Sequence, residues 1–276
     1  MKENLVWKAA ARCVVLASIL CVPVSLLAER MPVRYSEGVL HGFLVLRSQD
    51  GQAVASGELI QSARGSVVTS RLLFHFADGS LHDDTVVFSQ RGTFRFISDH
   101  LIQRGPSFPT PIDVQVNAAG ECTVNYQEKG EMKTATAKLK DRPDAAMGMI
   151  PVILKNMGTE TTQFTVSVVV ATPKPRLVKL VITPRGEGSF TVAGIKKTAT
   201  DYGAKVDIGG VAGAVAPIVG KQPADTHIWV MSGEAPALIS MQGAFYDGGP
   251  VWTVEMASPV GPKSAEVFKS EKTMQK

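Results

Sequence analysis

Cysteine is scarce in this chain, and its placement narrows what it can do. Of three cysteines in 276 residues, Cys13 and Cys21 fall in the first 28, and Cys122 stands alone in the rest. A lone thiol forms no internal disulfide. Set between Glu121 and Thr123 in a strand-like stretch, it reads as a small packed side chain rather than a nucleophile. Charge of one sign is also lacking: 29 Lys and Arg against 25 Asp and Glu leave +4. With no basic cluster interleaved with aromatics, a phosphate-tracking surface is excluded, and no nucleic-acid partner is expected. Catalytic signatures are missing as well. Neither G-x-S-x-G nor H-E-x-x-H occurs, and Asp99-His100 has no identifiable serine partner. The Gly-rich stretch from Ile208 to Pro223 ends in Gly220-Lys221, but Val215 stands where a phosphate loop needs glycine and Gln222 where it needs Ser or Thr. No catalytic residue, no metal site and no cofactor is assigned, and the chain is read as not an enzyme.

Only one long hydrophobic run is present. Residues 1–28 begin with Lys2, Lys8 and Arg12, continue through an apolar run from Cys13 to Leu27 and end on Ala28, the layout of a secretory signal peptide. The run contains Pro23 and falls short of the roughly 20 residues that span a bilayer unaided. The expected location is therefore periplasmic or secreted, with an uncleaved anchor as the rival. Removing the leader leaves 26 basic and 24 acidic residues, a nearly neutral chain.

What the remainder has in quantity is strand-like sequence punctuated by glycine. Asp50-Gly51, Asp78-Gly79, Arg91-Gly92, Ala119-Gly120 and Lys129-Gly130 separate stretches such as SVVTSRLLFHF, TVVFS and TFRFI. Such pairs supply the positive φ of tight hairpin turns, so an antiparallel meander is predicted. Phe94 and Phe96 alternate with Arg95, as on a sheet with one buried face. The pattern changes in DRPDAAMGMIPVILKNMG, where Asp141 is offered as an N-cap and Gly158 as a stop for a helix near 143–157. Gly148 and Pro151 predict a kink or two short helices, with Ile150, Ile153, Leu154 and Met157 facing the sheet. Strands resume in TTQFTVSVVVAT, RLVKLVIT, THIWVMS, ALISMQGAFY and VWTVEMA. The expectation is all-β and mainly antiparallel: a large curved sheet or half-barrel with one helix on its concave face. A single domain covers 29–257, and a polar tail covers 258–276.

Three groups of side chains invite a functional reading. A two-residue turn at Asp78-Gly79 would set His75 opposite His82, close enough to share a divalent ion, though further ligands cannot be named. Asp83 and Asp84 point to opposite faces and read as a solvated pair at a strand end. In the last hairpin a four-residue loop at Asp247-Gly248-Gly249-Pro250 would place Phe245 opposite Trp252, Met241 opposite Met256 and Gly243 opposite Val254. With Trp229 and with Ile153 of the helix, these form a candidate apolar groove. Its ligand-binding residues are Trp229, Phe245, Trp252, Met241 and Ile153, with a gap made by Gly243.

A signal peptide, a long meander and a crossing helix together resemble the half-barrels of periplasmic lipoprotein carriers and related envelope β-proteins. The runs GMIPVILKNMG, APIVGKQP and GGPVW look like those of uncharacterised exported bacterial proteins. The resemblance implies an apolar cavity between sheet and helix, a lipid-like ligand, peripheral association with the envelope and no catalytic residues. The alternative is an envelope scaffold that uses its sheet edges to bind a protein partner and holds no small ligand.

Overall fold

The computed structural model describes residues 30–192, 194–207 and 225–258. The expected leader, the Gly-rich stretch from Ile208 to Pro223 and the tail beyond Ser258 lie outside these residues. Alternation of apolar and polar side chains builds fourteen strands: β1 (Leu40–Arg47), β2 (Ala53–Arg64), β3 (Val67–Phe76), β4 (Leu81–Ser89), β5 (Arg95–Arg104), β6 (Ile112–Asn117), β7 (Glu121–Glu128), β8 (Glu131–Lys138), β9 (Phe164–Val170), β10 (Arg176–Val192), β11 (Ile195–Asp207), β12 (Thr226–Met231), β13 (Ala237–Ala244) and β14 (Val251–Met256). They form one antiparallel sheet that runs from β8 to β1, then from β14 to β9. The fold is all-β, with a large curved sheet that does not close and a single short helix on its concave face.

Turn chemistry and bulges explain the path. The five glycines flagged in the first half all have positive φ, from +72° to +86°. At Lys129-Gly130 both residues do, giving a two-residue hairpin that pairs Glu128 with Glu131. Bulges at Leu46/Arg47, Val87/Phe88, Pro184/Gly186 and Trp229/Val230 bend the strands and add twist, which curls the sheet. The curl lets β6 and β9, near opposite edges, contribute Val114 and Phe164 to one core.

The chain crosses between the two edges, β8 and β9, through the concave side, and this crossing carries the helix. A 3-10 turn (Met147–Met149) leads into α1 (Ile150–Lys155). The helix is shorter than the span 143–157, and Asp141 does not cap it. Pro151 starts it, because proline is tolerated in the first turn, where its missing N–H has no partner to lose. Six residues do not hold a helix in water. This one exists because Ile150, Val152, Ile153 and Leu154 are buried against the sheet, each contributing about 1.5–3 kcal/mol.

A polar clasp fixes the helix end. Asn156, fully buried, accepts hydrogen bonds from the backbone N–H of Arg34 (2.8 Å) and Tyr35 (2.7 Å) and donates to the Val152 carbonyl (2.9 Å). Beside it Lys155 pairs with Glu37 (2.5 Å), which also accepts from Gln61 (2.9 Å). Asn156→Ala orphans two backbone donors, so we expect a loss of about 2–3 kcal/mol, read as a lower denaturant midpoint.

Both sheet edges are protected. The β8 residues are mostly exposed, and Lys133 and Lys138 are paired with Glu128 and Glu121. At β9 the Ser167 carbonyl accepts from the N–H of Asp144 and Ala145, and Ser167 N–H donates to the Asp144 carboxylate. Charged and covered edges resist pairing with another chain.

Candidate functional site at the aromatic end of the concave face

The inner wall is apolar and falls into two clusters. The larger surrounds α1 and includes Ile153. The smaller lies beyond the helix, on β1–β3 and β14, and is built from Leu44, Leu46, Phe74, Phe76, Phe108, Trp252 and their neighbours. Met241 packs against both. Under the helix the space is taken up by protein, since Met149, Ile150 and Leu154 are 0–1% exposed. The ready-made cavity expected there gives way to a packed interior.

At the smaller cluster two loops, not the helix, form the cover. Phe108 comes from the loop after β5, and Phe245 and Tyr246 come from the loop before β14. Around Trp252 the ring centroids stand 5.2 Å (Phe76), 5.4 Å (Phe245), 6.1 Å (Phe108) and 6.3 Å (Tyr246) away. The first loop is tied down where Ser107 N–H donates to Ser80 Oγ (2.8 Å) and Ser107 Oγ donates to Asp78 (2.7 Å). Gly105 is required there: its φ is +100°, and a Cβ would meet the Ser80 backbone at 2.6 Å. Phe245 and Tyr246 are only half-buried, so this end of the wall opens toward solvent.

His82 sits among these rings, 4.7 Å from Phe245. Gln103 Nε2 donates to His82 Nδ1 (3.1 Å) and to the Phe245 carbonyl (2.9 Å), which leaves the imidazole proton on Nε2. Burial pushes His82 down to about 4, so it is neutral at physiological pH.

Of the five residues singled out from sequence, Phe245, Trp252, Met241 and Ile153 line this concave side. Trp229 does not: it points to the convex side, over Gly188, where a Cβ would meet its ring at 2.6 Å. The hairpin register also differs. Gly243 faces Trp252 and Met241 faces Val254, a slip of two residues that leaves every side chain on the expected face. Nor does Gly243 leave a gap, because Thr226 fills the space, 2.7 Å from where a Cβ would stand.

The proposed histidine pair is overturned. The Asp78 turn is a three-residue loop, with Phe76 N–H bonded to the Ser80 carbonyl, so His75 faces Leu81 and His82 faces Phe74. His75 is exposed and His82 buried on the other side of the sheet. Among the described residues no group of three or more His, Cys, Asp or Glu is placed to hold a metal ion. The reading of Asp83-Asp84 as a solvated pair holds for neither residue. Asp83, partly buried on the convex side, is gripped by Arg71 through two bonds (2.7 and 2.6 Å), and Asp84 is buried on the inner wall. Cys122 is buried in the larger cluster, and burial raises its thiol above the usual range. A separate concavity of about 360 Å³ lies on the convex side, between Phe43, Ser56, Glu58, Leu73 and His75.

Comparison with solved structures finds similarity to a beta-barrel-like protein of the domain of unknown function DUF1849 from Brucella abortus, at 9% identity and TM-score 0.42, covering 83% of this chain and all of that one. The hypothetical lipoprotein YmcC of Escherichia coli matches at 8% identity and TM-score 0.33, over 80% of this chain and 86% of that one. Lipoprotein LppX of Mycobacterium tuberculosis matches at 9% identity and TM-score 0.27, over 82% and 91%. No family model and no curated protein matches the chain.

Proposed function

We propose that this is an exported, non-enzymatic binding protein that takes an apolar, lipid-like ligand into the cleft between sheet and helix. The observation that carries the reading is the aromatic end of the concave wall. There Trp252, Phe76 and Phe108 lie beneath two loops that end in half-buried Phe245 and Tyr246, and the helix does not reach them. A wall of this kind, with His82 and Gln103 as its few polar groups, matches the make-up of apolar ligand sites. The form described is closed: the loops move aside where the ligand enters at the aromatic end, and the helix lifts as the ligand extends from there along the wall beneath it. The protected edges of β8 and β9 favour this reading over a scaffold that pairs through its edges.

A closed resting form has a measurable consequence. Apparent affinity is reduced by the fraction of molecules in the open state, so loosening the helix raises it. Titration with a fluorescent fatty-acyl probe is expected to show saturable binding, and Asn156→Ala is expected to bind more tightly although it is less stable. An absence of any probe response, with native mass spectrometry showing only empty protein, contradicts the proposal.

A further inference from the structure

The inner wall holds one arrangement that ligand binding leaves unexplained: a buried and a half-buried carboxylic acid set together without a cation. Asp84 on β4 and Asp99 on β5 are diagonal neighbours on the inner face, Asp84 facing Leu101 and Asp99 facing Val86, and Oδ1 of each is buried with no partner. Among the described residues neither is ion-paired to a lysine or arginine. Orphaned acceptors in an apolar wall are costly and ask for an explanation. Two adjoining carboxylates cannot readily both ionise away from water, so the pair keeps a proton that neither acid would hold alone in solution. Burial, reinforced by its partner's charge, holds Asp84 well above the ordinary aspartate range.

What lies on the pair is the turn that leads into the helix. A Cβ at Gly148 would come within 3.3 Å of Asp84 Oδ2 and 3.1 Å of Val86 Cγ1, so the backbone of the turn lies close against the pair and a side chain there would press on it. The turn, Met147–Met149, brings no charge of its own. From β3 the residues in register with this part of β4 are Ser70 and Leu72, and from β6 those in register with β5 are Val114 and Val116. The nearby titratable groups, His100 and Asp83, are engaged elsewhere, with Asp113 and Arg71. Lys155 of the helix is held by Glu37. Among the described residues no neighbour supplies a positive charge in direct contact to compensate a second ionisation.

We propose that Asp84 and Asp99 form a proton-operated latch for the helix. While the pair shares its proton, the turn and α1 stay seated on the sheet. When the proton leaves, two unscreened charges under Gly148 drive the turn off the wall and open the cleft. The latch rests on the reading above in that it regulates the same cleft, but it is tested without any ligand, so each can fail separately.

Amide hydrogen exchange of the full chain, followed from pH 5 to 9 and corrected for the intrinsic rate, reports the latch. Met149, Asn156 and Met157 donate to carbonyls within the turn and helix, and their protection is expected to fall more than tenfold as pH rises. Amides of β3 are expected to keep theirs. In the Asp84→Asn/Asp99→Asn double variant the fall disappears. If that variant does not fold, the wild-type protein decides: the infrared band of the protonated carboxyl must fade with the same midpoint as helix protection. Unchanged protection across the range, an equal fall in the double variant, or midpoints that do not coincide would overturn the latch.

Discussion

Replacing Phe74 with alanine is expected to destabilise the protein by about 3–5 kcal/mol, the range seen when a buried aromatic ring is deleted from a core that closes only in part. Phe74 is fully buried at the centre of the smaller cluster, with ring contacts to His82 (6.4 Å) and Phe245 (5.8 Å). Collapse around the gap is limited by the backbone. Gly57, on the neighbouring strand, has no side chain because a Cβ there would lie 2.4 Å from the Phe74 ring. Deleting the ring therefore leaves a hole next to a residue with nothing to fill it. Urea denaturation measures the loss, and a shift of less than 1 kcal/mol would mean that the aromatic cluster is not a packed unit. The same variant removes part of the floor beneath Phe245, so acyl-probe binding is expected to weaken with it.

Stability is expected to change with pH for two separate reasons that act in opposite directions. The first is His82, whose value in the folded protein is about 4, against 6.5 for an unperturbed histidine. For a depressed histidine the unfolded chain takes up the proton first. The contribution is complete above pH 6.5 and is lost as pH falls toward about 4, at a cost of about 3 kcal/mol. The second is the acid pair, where the sign is reversed. Asp84 is raised in the folded state, so its contribution is complete below the ordinary aspartate value and is lost as pH rises through the raised one. Across pH 4–9, urea midpoints relative to the wild-type protein are expected to fall less toward acid in His82→Asn and less toward alkali in Asp84→Asn. A His82→Asn variant with the same slope as the wild-type protein between pH 6.5 and 4 would show that His82 is not buried as described.

Much of the architecture was legible because strand alternation and glycine turns are local signals. The five turns at Gly51, Gly79, Gly92, Gly120 and Gly130 lie where the pairs Asp-Gly and their like suggest, and Phe94 and Phe96 are buried while Arg95 is exposed. What escaped notice depends on residues acting at a distance or on loop length. One extra residue in the Asp78 loop moves His75 off His82, since a register shift of one inverts the faces. The long hairpin of β10 and β11 was hidden by Pro184 and Gly186, which read as a strand end but form a bulge within a continuing strand. Gly148 and Pro151 signal a helix in two short pieces, and the 3-10 turn followed by α1, with Pro151 in its first turn, has that form. The burial of Asp84 did have a signal, because it stands in phase with Val86 and Phe88 on the same strand. Its partner Asp99 could be found only from the pairing of β4 with β5. The aromatic site was half visible. Phe245 and Trp252 lie on one hairpin, but Phe76 and Phe108 come from segments far away in sequence.

In the proposed binding mode an acyl chain enters the concave wall at Trp252. Quenching of tryptophan emission by a bromine-labelled fatty acid tests it most directly, because bromine quenches only at contact range and Trp229, on the opposite face, serves as an internal control. Saturable quenching is expected that survives Trp229→Phe and is lost in Trp252→Phe. Quenching that follows Trp229 instead, or none at any concentration below the onset of micelles, would contradict it.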